Sequence, residues 1–419
     1  MNPYDRERKL MPIAIQATRT GVRMDRELLK QYSVDYNAAI EFARERVFDR
    51  LDQRFLLTSG KQLAAALDAA GAVTEQVFTA KGNRSTAREV LENTISDPEL
   101  RDDIIYFNTI RKSLSDFIEK WLVLSAADGR VHPNWNQVRS RDNFGGGKGA
   151  RTGRFSCDNP NLQNPPNEYH INIPEGLPEP PVLRRAFLPE EGHTWLMRDF
   201  SGQEIRVAAH FEDGTLLQAY IDDPALDPHE MARELIKEIT GLDFPRKHVK
   251  ITAFQIMYGG GPKAISQGVG TTWDNAVRLI DGYLRAIPGF KWLQKDTRQL
   301  GRSGSCITTW GGRKYYVEPS EVIKGRKMDF SYKLLNYLIQ GSAADQTKQC
   351  IIDWHHEYRQ PGDVFLATVH DEINISAPEE HWEESMLNLR NAMDQDLFDC
   401  PMRSEGKAGP NWADIKDVD

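Results

Sequence analysis

The sequence predicts an α+β protein: long helices, with two strand-like segments set among them that each carry an aspartate. Three observations support this. Residues 24–125 place apolar side chains at helical spacing, first in RELLKQYSVDYNAAIEFARERVF and again in RDDIIYFNTIRKSLSDFIEKWLVL. Two short apolar runs, HTWLMRDF and FLATVHDEINIS, read as strands and hold Asp199 and Asp371. Helix returns between them, so the order helix, strands, helices, strands points to a sheet-based core.

Taken in order, the first segment, MNPYDRERKLMPIAI, mixes acids and bases ahead of a short apolar stretch, and Asp5-Arg6-Glu7 reads as a surface charge run. TSGKQLAAAL opens on a Thr-Ser-Gly cluster that suits a helix entry. From about Val131 to Pro181 Gly, Asn, Pro and Arg dominate, which predicts a loop-rich stretch. LRRAFLPEEGHTWLMRDF reads as two strands around a Pro-Glu-Glu-Gly turn, and residues 203–300 as helix. GSCITTWGGRKYYV predicts a hairpin turning at Gly311 and Gly312. LLNYLIQGSAADQTKQCIIDWHHEY predicts one long helix, FLATVHDEINISA a second hairpin, and EEHWEESMLNLRNAMDQDL a last helix.

The chain has 419 residues, enough for two or three subdomains. No run approaches the roughly 18 apolar residues of a membrane span, and the N-terminus lacks the apolar core of a signal peptide. The four cysteines lie far apart without a CxxC pair, which fits a reducing cytoplasm and speaks against structural zinc. The net charge of −8 argues mildly against nucleic-acid binding. The local distribution answers it, because Arg139 to Arg154 carries five Lys or Arg against one acid, Asp142. GGGKG within that stretch resembles a phosphate-binding loop, but it lacks the second Gly and the Ser or Thr that such a loop needs.

Three segments make chemical sense together. Asp199 and Asp371 sit at strand ends, where two carboxylates from separate strands converge to hold two divalent cations, with hard oxygen ligands favouring Mg²⁺ or Mn²⁺. RKHVKITAFQIMYG places Arg246, Lys250, Phe254 and Tyr258 four apart along one side of a helix, with Lys247 adding charge. The two cations suit a triphosphate, and Phe254 suits a base to stack on. Gly259, Gly260 and Gly261 then let the backbone bend. Read singly, each aspartate is equally a cap or turn residue, and the helix an amphipathic surface helix with a solvated basic end. Read together, they form a site for template-directed nucleotide polymerisation.

With those residues in hand, the chain resembles the family A DNA polymerases, from about residue 10 to Trp412. RTGRFSCDNPNLQNPP matches the family's TGR…PNLQN segment, and DFSGQEIR its first catalytic motif, usually DYSQIELR. RKHVKITAFQIMYG matches the fingers helix, NYLIQGSAAD its later counterpart, VHDE the second catalytic motif, and GPNWAD the closing GxNW. The resemblance implies a right-hand fold with an antiparallel palm sheet and largely helical thumb and fingers. The palm would be built from 1–40, 126–211 and 334–419, the thumb from 41–125, and the fingers from 212–333.

Site roles follow from the resemblance position by position. Asp199 and Asp371, helped by the main-chain carbonyl of Phe200, would hold two Mg²⁺ ions, with Mn²⁺ able to substitute. Arg246, Lys250 and His229 would contact the triphosphate, and Phe254 and Tyr258 would be the nucleotide and template stacking positions. Glu204 would close the pocket against a ribose 2′-hydroxyl, making DNA the product and arguing against an RNA polymerase. Arg154 and Gln340 would read the minor groove at the primer end, with His370, Gln163 and Asn336 also against DNA. Phe200, Gly202 and Gln203 depart from the usual Tyr, Gln and Ile, which implies an altered sugar-pocket floor, and Gln255 stands where Gly is common. Between Gln137 and Thr152 the chain carries roughly ten residues beyond the usual form, among them the basic Gly-rich loop 139–151, and an added contact to duplex or template strand is expected of that loop. Only about thirty residues precede the thumb-like helices, so a proofreading exonuclease in cis is not expected. The expectation is a monomeric, cytoplasmic, phage-type replicative enzyme working with primer-template DNA, dNTPs and separate exonuclease, helicase or single-strand-binding proteins.

Overall fold

A computed structural model describes residues 2–139, 148–323 and 325–419. Its centre is a five-stranded antiparallel sheet in the order Val364–Val369, Glu372–Pro378, His193–Phe200, Ser404–Gly409, Lys416–Asp417. Successive residues of a strand point to opposite faces, and both faces are covered. Leu196, Ile373 and Ile375 join one core, while Trp195, Met197, Leu366 and Val369 join the other. Helices Arg26–Leu51 and Pro98–Ser113 pack on the second side. Helices between Gln203 and Arg302 pack on the first.

The α+β expectation and both hairpins hold. Ile307–Thr308 pairs with Lys314–Tyr315 around Gly311 and Gly312, and Val364–Val369 pairs with Glu372–Pro378. The expected long helix runs from Lys333 to Asp353 and continues as a π-helical turn, Trp354–Tyr358. It is buried on nearly every face. Its small residues allow this: a Cβ on Gly341 would lie 2.8 Å from the Thr309 methyl.

Two expectations are corrected. LRRAFLPEEGHTWLMRDF does not form a two-stranded unit, because Leu183–Ala186 is a 3-10 turn and Phe187–Leu188 pairs with Val22–Met24 in a separate small sheet. The opening segment is a helix, Pro3–Thr20, capped by the Asn2 side chain and tolerating an interior Pro12. Asp5-Arg6-Glu7 is not a surface run. Arg6 is 1% exposed and lies 3.2 Å from the buried Asp345 carboxylate, which Arg313 also meets at 2.6 Å. Glu7 pairs with Arg313 and accepts from Lys348 Nζ at 2.7 Å. This ionic cluster fastens the first helix to the long helix and the Gly311 hairpin. The basic Gly-rich loop falls largely on residues 140–147, outside the described residues; beyond it, Lys148 pairs with Asp158 at 3.2 Å.

Candidate active site

The sheet sets the carboxylates. Asp199 lies near the end of the central strand, with Glu372 and Glu405 as its direct partners on the two neighbouring strands. Asp371 occupies the hairpin turn immediately before Glu372, after His370, whose φ of 59° makes the tight reversal. Burial first, then the Asp371, Glu372 and Glu405 charges, push Asp199 well above the ordinary carboxylate value, against a lowering hydrogen bond from the Phe200 backbone. Burial likewise raises Asp371, against the lowering fields of Arg154 and His370. Crowded, desolvated carboxylates of this kind are what a hard divalent cation neutralises, so the donor set fits such an ion. Among the described residues no group of three or more His, Cys, Asp or Glu side chains is arranged to hold a metal, so the fit rests on the two aspartates and a main-chain oxygen.

Across a cavity of about 730 Å³ stands the helix Arg246–Met257. The cavity is lined by Ser201, Glu405 and Ser404 from the sheet side, and by His229, Arg246 and Lys250. Arg246 donates from Nε to Asp227 at 2.6 Å. Asp227 in turn caps the helix Pro228–Thr240 by accepting from the His229 and Glu230 N–H groups, at 3.0 and 3.2 Å. Lys250 is exposed and makes no ion pair among the described residues. His229 is buried, and burial lowers its pKa to about 4, so the ring is neutral at pH 7; Nδ1 has no hydrogen-bond partner among the described residues. The Phe254 ring stands 6.0 Å from His229 and 6.1 Å from Tyr258, centroid to centroid.

A polar knot joins four residues singled out from the sequence. Glu204 pairs with Arg154, accepts from the Tyr258 hydroxyl at 2.8 Å, and accepts from Gln340 Nε2 at 3.3 Å. Burial and the Glu204 charge push the Tyr258 phenol up to about 12, so it remains a donor. The knot ties the end of the Arg246–Met257 helix to the first turn of Gln203–Glu212 and to the long helix.

Other sequence-named residues have different surroundings. Gln163 spends its amide on the Phe155 and Thr368 carbonyls, at 3.3 and 3.2 Å, and so braces the strand leading to His370. Asn336 lies one turn before Gln340, and its Oδ1 has no hydrogen-bond partner among the described residues. Of the residues expected to alter the pocket floor, the Phe200 side chain is in the core and Gln203 faces the long helix. Gln203 Nε2 donates there to Ala343 O at 3.2 Å and to Gln346 and Thr347, both at 3.0 Å. Gly202 adopts φ 71° at the helix cap, a conformation glycine takes without strain. The Gln255 amide lies over Gly260.

Sequence reasoning missed three partners: Asp227 on Arg246, Glu405 beside Asp199, and the Glu204–Arg154 pair. Glu405 lies in SEGKAG, which has no apolar alternation to mark it as a strand. Asp227 was legible, since Asp-Pro-His-Glu is a helix-cap signature. The closing GPNWAD segment is structural. Trp412 stacks on Trp195 with centroids 5.5 Å apart and donates from Nε1 to Glu372 at 3.0 Å.

The family model described as DNA polymerase family A matches residues 26–414. The chain is 30% identical to DNA polymerase I of Bacillus subtilis (strain 168), over 97% of this chain and 45% of that protein. It is 28% identical to DNA polymerase I of Chloroflexus aurantiacus, over 98% of this chain and 43% of that protein. The chain thus spans a little under half the length of these curated relatives. A solved structure described as the POL domain of Pol1 from M. smegmatis in complex with DNA primer-template and dNTP shares the fold, with a TM-score of 0.81 at 22% identity. The match covers 97% of this chain and 70% of that one. Among the described residues no helix is long and apolar enough to cross a membrane.

Proposed function

The chain belongs to DNA polymerase family A, and from that premise we propose that it extends a primer 3′-hydroxyl with dNTPs on a DNA template. The observation that carries the reading is the crowded pair Asp199 and Asp371, with Glu405, the direct strand partner of Asp199, lining a cavity that Arg246, Lys250 and neutral His229 also line. We assign the palm to 1–40, 126–211 and 334–419, the thumb to 41–125 and the fingers to 212–333, on the strength of where the sheet and the helices lie.

Asp199, Asp371 and the main-chain carbonyl of Phe200 would hold two Mg²⁺ ions. When bound, such ions supply charge neutralisation at the reacting phosphate and activate the attacking hydroxyl. The chain's own groups supply position and field. Lys250 and Arg246 grip the triphosphate, with Arg246 exchanging Asp227 for phosphate oxygens. His229, neutral at working pH, contributes a hydrogen bond without a charge. Phe254 stacks on the incoming base, and Tyr258 takes the template base that precedes it in the read. Glu204, held by Arg154, Tyr258 and Gln340, occupies the space a ribose 2′-hydroxyl would need. Arg154, Gln340, Asn336, Gln163 and His370 face the primer end of the duplex. Holding reactants in line and stabilising developing charge are the main sources of rate in phosphoryl transfer.

Extension of a labelled primer on a DNA template, with Mg²⁺ and either dNTPs or rNTPs, tests the reading. Templated addition of dNTPs only is the expected result. Tight primer-template binding without extension by either set overturns it. A mismatched primer end in the same assay reports whether the chain shortens a primer.

A further inference from the structure

The helix Pro288–Arg302 carries a charge pattern that the catalytic site does not use. At 3.6 residues per turn, Lys291, Lys295, Arg298 and Arg302 fall within an arc of about 60° on one side of the helix. Lys291, Lys295 and Arg298 make no ion pair among the described residues, while Arg302 meets Asp329 at 2.9 Å. Trp292 is 57% exposed, and Lys295 Nζ stands 5.4 Å from its ring centroid. The acid of the same stretch, Asp296, lies about 100° away from the stripe.

The stripe adjoins the end of the helix Arg246–Met257. A cavity of about 690 Å³ is lined by Lys291, Trp292, Lys295 and Arg298. A second, of about 360 Å³, shares Lys291 and Arg298 and reaches Gly260 and Gly261, two and three residues beyond Tyr258. Gln294 Nε2 donates to the Ile256 carbonyl at 3.1 Å, so the helix is fastened to the end of Arg246–Met257. A row of cations with an exposed aromatic ring beside it is the pattern that takes single-stranded nucleic acid, the phosphates on the cations and a base on the ring.

We propose that Pro288–Arg302 leads the single-stranded template toward the reading position at Tyr258, with its phosphates on Lys291, Lys295 and Arg298 and a base stacked on Trp292. The inference rests on the polymerase reading, and the substrate class it adds is unpaired DNA 5′ of the templating base. A protein ligand with an acidic segment is the rival occupant, and it would leave DNA affinity untouched.

Binding of primer-templates with a one-nucleotide or an eight-nucleotide 5′ template overhang, read by fluorescence anisotropy, tests it. Trp292→Ala should weaken the long-overhang complex by at least about fivefold and leave the short-overhang complex unchanged. The triple variant Lys291→Ala, Lys295→Ala, Arg298→Ala should lower the salt dependence of long-overhang binding by about 2 in log–log slope. Equal losses on both substrates, or no loss on either, overturn the inference. Single-nucleotide extension by the unsubstituted protein on the short overhang is measured beside it. Its absence defeats the polymerase reading, whereas extension combined with overhang-independent variants defeats the template path alone.

Discussion

Asp199 illustrates how a single side chain couples stability to ligand. Its folded-state pKa stands above the ordinary 3.8 because burial and three neighbouring carboxylates oppose ionisation. A raised folded value gives stability that is fully present below the unfolded pKa and lost as pH rises through the folded one. In EDTA, the melting temperature should therefore fall between pH 5 and pH 8 more steeply for the natural chain than for Asp199→Asn. Mg²⁺ should raise it chiefly at the upper end, because only the ionised carboxylates hold the ion. Equal slopes in calorimetry would remove Asp199 from the charge cluster. Asp371→Asn should keep primer-template affinity and lose nearly all synthesis in a primer-extension assay. Glu204→Ala frees Tyr258 and Arg154, and on the proposed reading it also opens the space under the sugar, so it should admit rNTPs and raise misincorporation in single-nucleotide assays. These residues were legible because strand ends and four-residue helical spacing put chemistry on one face. Glu405 was less so, since it comes from a segment with no apolar pattern of its own.

Among the elements, the Arg246–Met257 helix depends on how its end is turned. Gly259 has φ 77°, and a Cβ there would lie 2.5 Å from the Tyr332 ring. Gly261, two residues on, has open space and no left-handed φ. Gly259→Ala should cost roughly 2–4 kcal/mol from strain and overpacking together, while Gly261→Ala should stay within about 0.5 kcal/mol, as urea titration would show. Helices and hairpins were readable where periodicity was strong. Ser404–Gly409 was not, because its pairing is set by the backbone: a Cβ on Gly406 would meet Arg198 Nη1 at 2.7 Å. Pro3–Thr20 was obscured by Pro12 and by charges that look solvated in sequence but are paired in space.

The whole molecule is held together by contacts distant in sequence. Asp345 is fully buried between Arg6 and Arg313, with the Thr309 hydroxyl donating at 2.7 Å. Asp345→Ala would take from Arg6 and Arg313 the buried carboxylate they share, and a loss of about 3–5 kcal/mol is expected on denaturation. Removing the exposed Glu27–Lys30 pair should cost next to nothing. No sequence pattern forecasts the buried cluster, because its members come from three separate elements.

The sheet register has a consequence for biosynthesis. His193–Phe200 takes its two neighbours from Glu372–Pro378 and Ser404–Gly409, both made much later. At ribosomal rates of about 5–20 residues per second, that strand emerges on the order of ten to thirty seconds before its first partner. During that interval both of its edges are open to any other extended chain. The segment that carries the first aspartate is therefore the one most exposed to wrong pairing while the chain is being translated.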